Sequence, residues 1–337
     1  MTPVDPDRRD HAPHARHLSG DHPTAGGASL EEVADGVFAW IQPDGTWWVN
    51  NTGAVLGDGH GGPELFVVDT CATEVRTRNF LDSLAGATDD APVRFAMNTH
   101  EHGDHTYGNS LLPDSCALIG HPQMRANLAE DGLIDGCPPA WDPVPEWGDV
   151  TRRLPSITTS TNLVVHSGGR RIEVIHPGYR AHTVGDLVAW LPGERVLFTG
   201  DLLFSGLTPL VFAGSLDGAI RSLEWIAGFG PDVVVPGHGR IVAGVDLPRV
   251  LADHERYYRF VLATAEVGRA AGMTPLETAF EADLEEFDEW PDAERLVMNL
   301  HRVFADVEGR PMDVMAAALD AVTFNGGPMT THVCCLG

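Results

Sequence analysis

Residues 99–109 read T-H-E-H-G-D-H-T-Y-G-N, and no other stretch narrows so far what this chain can become. His100, His102, Asp104 and His105 are side chains that bind a borderline divalent metal such as zinc. Alternate side chains of an extended segment share a face, so His100, His102 and Asp104 can point together. Gly103 lets the backbone turn, and His105 then arrives from the other side. One short loop can therefore serve two neighbouring ions. The apolar segment Val93–Met97 precedes it and reads as a buried strand, and binding loops in α/β folds sit at the C-terminal ends of such strands.

Two ions need further ligands, and three candidates recur in one context. His182 lies in A-H-T-V-G-D, just before the strand-like segment Asp186–Leu191. Asp201 closes L-F-T-G-D after Arg195–Thr199, and His238 closes V-V-V-P-G-H-G after Asp232–Val235. A His or Asp in a Gly turn is by itself more often a turn residue. Three of them beside glycines at strand ends, downstream of the His-rich loop, point to metal.

The rest of the chain alternates between strand-like and helix-like segments. Gly36–Gln42 and Trp47–Leu56 read as two strands around the turn Pro43-Asp44-Gly45. Glu64–Asp69 is a buried strand, Thr73–Leu84 a helix, Ala117–Gly120 a strand and His121–Glu130 a helix. Residues 131–155 carry five prolines with Trp141 and Trp147 and no period, which suggests an ordered lid loop. Asn162–His166 and Arg171–His176 are strands, and Asp217–Phe229 is a helix capped near Ser215. From Leu247 to Phe324 the pattern is helical, with Thr274-Pro-Leu-Glu277 as a capping box that restarts a helix. The expected organisation is a tail over 1–28, a catalytic domain over 30–245, a C-terminal helical region over 247–324 and a tail over 325–337.

Acidic residues outnumber basic ones 48 to 22, a net charge of −26, and the sequence shows no basic patch, only close pairs such as Arg152–Arg153 and Arg170–Arg171. Such a balance repels nucleic acid and anionic membranes. No apolar run is long enough to span a bilayer. Residues 1–28 lack a secretory signal and read as disordered, with His11, His14, His17 and His22 as a solvated cluster. Cys71, Cys116, Cys137, Cys334 and Cys335 are odd in number and lack CxxC spacing, which fits a reducing cytoplasm. A homodimer is open on these grounds.

H-E-H-G-D-H, A-H-T-V-G-D, F-T-G-D and V-P-G-H-G, in that order, resemble the motif series of the metallo-β-lactamase-fold superfamily over residues 33–245. The resemblance implies an α/β fold: a four-layer αββα sandwich, here with a C-terminal helical extension. It implies that His100, His102 and His182 hold one zinc, that Asp104, His105 and His238 hold a second, and that Asp201 bridges both. Iron and manganese are compatible with the same set. Asp69, in V-V-D-T, matches the family's early Asp that supports the ligands from behind. The β-lactamases of this fold generally have Cys or Ser where this chain has the bridging Asp201, which disfavours antibiotic hydrolysis. The flavodiiron relatives have Glu where this chain has His102. The complete set looks like the glyoxalase II, lactonase and processing-nuclease branches, and the acidic balance argues against nucleases.

Gln42–Gly53, the metal loop, R-V-L-F-T-G-D-L-L-F and the late F-N-G-G-P are also similar to the actinorhodin-type cyclase/thioesterases of aromatic polyketide pathways, which serve antibiotic biosynthesis. The expected activity is metal-dependent cleavage of an ester or thioester with a bulky aromatic or polyketide-type acyl group, free or carrier-bound, with ring closure open to the same pocket. Asp104 is the expected proton shuttle. Trp47, Trp48, Trp141, Trp147, Tyr179 and Phe204 are the expected substrate contacts. The alternatives are a glyoxalase II-like or lactonase-type hydrolase and, in another class, a mononuclear iron persulfide dioxygenase.

Overall fold

The strand Val37–Ile41 sends Val37, Ala39 and Ile41 to one side and Phe38 and Trp40 to the other, and all five are buried. A strand covered on both faces needs a packed layer on each, and the computed structural model, which describes residues 27–334, supplies them.

In chain order the first half contains β1 (Ser29–Ala34), β2 (Val37–Ile41), β3 (Thr52–Gly59), β4 (Gly62–Val68), α1 (Glu74–Ala87), β5 (Val93–Met97), α2 (Gly103–Thr106), β6 (Ala117–Gly120), α3 (Pro122–Glu130), β7 (Trp141–Asp142) and β8 (Ile157–Thr158). The second half contains β9 (Asn162–Ser167), β10 (Arg170–Ile175), β11 (Val188–Leu191), β12 (Val196–Ser205), α4 (Leu216–Phe229), β13 (Val233–Gly239), β14 (Val242–Ala243), α5 (Leu247–Ala270), α6 (Pro275–Glu281), α7 (Arg295–Glu308), α8 (Val314–Asn325) and β15 (Met329–Thr330).

Two large sheets result, with orders β1-β2-β3-β4-β5-β6-β8 and β14-β13-β12-β11-β10-β9, beside a two-stranded ribbon of β15 and β7. Val37, Val55, Phe66, Val68 and Met97 of the first meet Val165, Ile172, Ala189, Val196 and Phe198 of the second in one apolar layer. The outer face of the first sheet, with Trp40, Leu65 and Val67, takes Phe80 and Leu84 of α1. The outer face of the second, with Val188, Leu197 and Val234, takes Leu223 and Ile226 of α4 and Tyr258 and Val261 of α5. This is the four-layer αββα sandwich. Its order follows from period-2 strands with both faces apolar.

The capping signals are realised. Ser215 caps α4 by accepting from Gly218 N, and Thr274 and Glu277 form a reciprocal capping box with Pro275 at the first turn.

The structure corrects several sequence expectations. β2 and β3 pair antiparallel, but Trp40 faces Thr52, so residues 42–51 form a long buried loop in place of a tight turn. Polar groups hold that loop inside: Gln42 Nε2 donates to Asp44 Oδ2 at 3.2 Å, and Asn51 Nδ2 donates to the Pro236 and Gly239 carbonyls at 2.9 Å each. Trp47 and Trp48 therefore stand on a loop, with Trp48 at φ 67°. Residues 131–155 are ordered and pinned in place. β7 pairs with β15, the Trp147 carbonyl accepts from Glu74 N at 2.8 Å, and Arg153 donates to the Leu112 and Cys116 carbonyls. The C-terminal tail contributes too, because Thr331 Oγ1 donates to the Trp47 carbonyl. The histidines of the N-terminal tail (His11, His14, His17, His22) and Cys335 lie outside the described residues.

Candidate metal centre

β5 ends at Met97, and the chain turns through Asn98 and Thr99 into the His-rich loop. Asn98 fixes this turn by donating to the His105 carbonyl at 2.7 Å and to Asn109 Oδ1 at 3.0 Å. β11 follows the turn that carries His182, β12 carries Asp201 in its middle, and β13 carries His238 near its end. Parallel pairing of β12 and β13 is irregular between Phe198 and Phe204, and that irregularity turns Asp201 toward the loop. Gly237 makes room for it, since a Cβ there would collide with Asp201 Oδ1.

All seven expected ligands come together. His100, His102, His182 and Asp201 form one group and Asp104, His105 and His238 another, with the ligand atoms of each group within 4.8 Å of one another. His102 Nδ1 lies 3.0 Å from both His100 Nε2 and His182 Nε2. Asp201 stands between the groups, with Oδ2 3.3 Å from His182 Nε2 and Oδ1 3.2 Å from His105 Nε2. Asp104 Oδ2 lies 3.2 Å from His238 Nε2.

The far side of three of the rings is satisfied, while His102 turns Nδ1 inward and leaves Nε2 buried without a partner. His105 Nδ1 is 2.9 Å from Asp69 Oδ2, His182 Nδ1 is 2.8 Å from the Leu210 carbonyl and His238 Nδ1 is 2.9 Å from the Val49 carbonyl. Such contacts orient imidazoles so that Nε2 presents its lone pair inward. His105 Nε2 and Asp201 Oδ1 are buried and find no hydrogen-bond partner. Converging unpartnered nitrogen and carboxylate donors of this kind fit divalent metal ions.

The electrostatics agree. Burial opposes the charge on Asp104, yet His105 and His238 beside it hold its carboxyl down at about 2. Burial likewise opposes Asp201, and His238, His105 and His182 around it keep it well below the usual carboxylate range. Burial takes His182 down to about 3 and His100 well below its ordinary value. His238 rises against burial to about 9, because Asp201 and Asp104 face it. Asp201 and Asp104 likewise raise His105 well above its ordinary value, so the two imidazoles balance the two carboxylates in a water-poor site, a role that a divalent ion would also fill.

Asp69 follows β4 at φ 61° and accepts from Thr99 N at 2.7 Å and Thr99 Oγ1 at 2.8 Å as well as from His105. Thr99 Oγ1 in turn lies 3.0 Å from His100 Nδ1. Asp69 thus contacts a histidine of one group directly, His105, and one of the other, His100, through Thr99.

The groups open onto a cavity of ≈ 420 Å³. His102, Asp104, Asp201 and His238 form its floor, and Trp47, Trp48, Trp141, Phe204 and Phe212 line its sides. Two expected contacts do not line it. Trp147 packs behind Trp48, ring centres 4.8 Å apart, with Nε1 donating to the Leu133 carbonyl. Tyr179 lies under the Arg221 guanidinium at 3.9 Å, away from the cavity. His254, Tyr257 and Tyr258 of α5 are buried, and His254 Nε2 accepts from Phe204 N at 3.0 Å. Sequence reasoning missed the opposite wall: Arg295 and Met298 of α7 and Val314, Met315, Leu319 and Val322 of α8. Nothing local distinguishes those residues from an ordinary apolar helix face. Phe212, stacked on His102 at 4.7 Å, also went unseen.

A model of the metallo-beta-lactamase superfamily matches residues 45–238, more than half of the chain. The chain is 27% identical over 203 residues to the 2,4-dinitroanisole O-demethylase subunit alpha of Nocardioides sp. (strain JS1661), covering 59% of this chain and 54% of that protein. It is 25% identical over 134 residues to the hydroxyacylglutathione hydrolase of Pelagibacter ubique (strain HTCC1062), covering 39% of this chain and 45% of that one. The chain thus spans about half the length of these curated relatives. Among solved structures, the sec-alkylsulfatase Pisa1 from Pseudomonas sp. aligns with a TM-score of 0.62 at 19% identity, covering 86% of this chain and 51% of that one. The DIM-1 metallo-beta-lactamase aligns with a TM-score of 0.52 at 19% identity, covering 70% and 98%. These two structural likenesses concern the fold.

Proposed function

This chain belongs to the metallo-beta-lactamase superfamily, and on that premise we propose that it hydrolyses an ester or thioester whose acyl group is bulky and aromatic. The observation that carries this reading is the cavity: its floor holds the metal-ligand side chains, and indole and phenyl rings line its sides. A pocket with that division of labour grips a flat apolar body and leaves its reactive end at the polar floor.

Zinc held by the two groups would supply acidified water near neutral pH and Lewis-acid polarisation of the acyl oxygen. The chain's own residues do the rest. Asp104, ionised and at the cavity floor, is placed to take a proton from the attacking water and return it to the leaving group. Trp48 and Trp141 meet edge to face at 5.1 Å and form a stiff wall for the acyl rings. The apolar sides keep bulk water from competing for the electrophile. Ring closure of a poly-β-ketone chain would draw on the same proton acceptor.

The likenesses support the two halves of this reading separately. One relative is a hydrolase of hydroxyacylglutathione, an acyl compound. Another acts on 2,4-dinitroanisole, an aromatic one.

The experiment is a substrate panel on the zinc-loaded protein: aryl thioesters, S-lactoylglutathione, nitrocefin, 2,4-dinitroanisole and a persulfide. We expect the highest kcat/KM on aryl thioesters, with Trp47→Ala raising KM mainly for the bulkiest acyl groups. Preference for S-lactoylglutathione would return the chain to a glyoxalase II-like role. Sulfite from the persulfide on a parallel iron-loaded sample in air would make it a dioxygenase, and methanol from 2,4-dinitroanisole an aryl-ether hydrolase.

A further inference from the structure

Arg295 opens helix α7, is 1% exposed and lines the cavity. The chain has no lysine, and among the described residues Arg295 is the one basic side chain other than histidine on the cavity wall. Its guanidinium lies near two aromatic rings, 4.9 Å from the centre of Trp47 and 5.6 Å from that of Phe204. Phe204 in turn stacks on His238, centres 5.3 Å apart and 9° from parallel. A buried cation thus stands one ring away from the metal-ligand floor.

A purely structural role explains part of this arrangement. Nη1 donates to the Thr208 carbonyl at 2.9 Å, and Nη2 lies 2.9 Å from Asp292 Oδ2. Those contacts tie the chain after β12 to the start of α7. They leave Nε buried with no acceptor. They also leave a cation in the first turn of a helix, where the helix dipole disfavours positive charge. Burial pushes the Asp292 carboxyl up from its ordinary value, with Arg295 opposing the rise, and takes Glu294, beside Asp292, up to about 7. Glu294 is in addition occupied by Trp47, whose Nε1 donates to its Oε1 at 2.6 Å.

We propose that Arg295 receives an anionic oxygen on the aromatic part of the substrate, remote from the bond that breaks, so that the substrate class is an acidic aryl acyl compound. A carboxylate, phenolate or enolate oxygen shares the required chemistry, since each accepts a charge-assisted hydrogen bond from a guanidinium edge. The rings of Trp47 and Phe204 would flank the guanidinium and the substrate ring together. This inference deepens the aryl hydrolase reading and rests on it for the substrate's orientation.

The test is a binding measurement that needs no turnover. Zinc-loaded protein is titrated, by tryptophan fluorescence, with 2,6-naphthalenedicarboxylate and with 6-carbamoyl-2-naphthoate, which has one carboxylate replaced by an amide. Wild type should bind the diacid roughly 10-fold or more tighter. In Arg295→Met the two ligands should bind within about 2-fold of each other, the amide-acid being little changed, while Arg295→Lys should restore part of the gap. Equal affinities in wild type, or a gap that survives in Arg295→Met, would overturn the proposal. If Arg295→Met fails to fold by circular dichroism, the wild-type gap and its reduction in Arg295→Lys decide. An intact Arg295-dependent gap in a protein that cleaves no aryl thioester would reject the reaction alone. Failure of both ligands to bind would reject the aromatic reading and this proposal together.

Discussion

His105 Nδ1 lies 2.9 Å from Asp69 Oδ2, and both side chains are buried. Because Asp69 also takes Thr99 N and Thr99 Oγ1, and Thr99 Oγ1 touches His100 Nδ1, one carboxylate steadies a histidine in each ligand group. Burial pushes the Asp69 carboxyl up, and His105 counters it.

Replacing Asp69 by Asn keeps the size and removes the charge that orients His105. We expect zinc affinity to fall by about 10- to 100-fold, the usual cost of losing a group that orients a ligand, with the fold intact by circular dichroism. Competition against a chromophoric chelator measures it, and wild-type affinity in Asp69→Asn would show that the contact is incidental.

Gly237 tests the bridge. A Cβ at this position collides with Asp201 Oδ1 and with the backbone at Gly200 and Asp201. Gly237→Ala must therefore displace the carboxylate that stands between the two groups. A displacement near 1 Å lowers turnover by about 100-fold, and metal content should drop with it. Unchanged turnover and metal content in a folded Gly237→Ala protein would mean that Asp201 does not need the position seen here.

The convergence of the seven candidate ligands was legible in the sequence because each sits in a short segment whose chemistry is local: His or Asp beside Gly at a strand end. The layered fold was legible for the same kind of reason, since segments such as Val93–Met97 and Ala117–Gly120 are short apolar runs with clear ends. The cavity was only half visible. Trp47, Trp48, Trp141 and Phe204 do line it, whereas Trp147 and Tyr179 do not, because an aromatic residue looks the same in sequence whether it faces a pocket or a core. The α7 and α8 wall was invisible. Its placement depends on long-range packing, such as Asn299 of α7 donating to the Pro209 carbonyl at 2.9 Å and accepting from Val211 N at 2.6 Å.

That wall offers a further test. Leu319 is 59% exposed and lines the cavity mouth. Leu319→Glu should leave stability within about 0.5 kcal/mol, as exposed substitutions do. It should raise KM for apolar aryl substrates and leave small acyl esters unaffected. A KM change of equal size for both, read from steady-state kinetics, would place the substrate elsewhere.

The central claim is that the two ligand groups joined by Asp201 hold metal that the reaction requires. It is tested most directly by elemental analysis of protein purified without chelator, with hydrolysis assayed before and after chelation and again on zinc addition. The expected result is about two zinc ions per chain, activity lost on chelation and recovered with zinc, and Asp201→Ala depleted of metal and activity together. A wild-type protein that turns over at full rate without metal, or an Asp201→Ala protein that keeps both ions and full activity, would contradict the account.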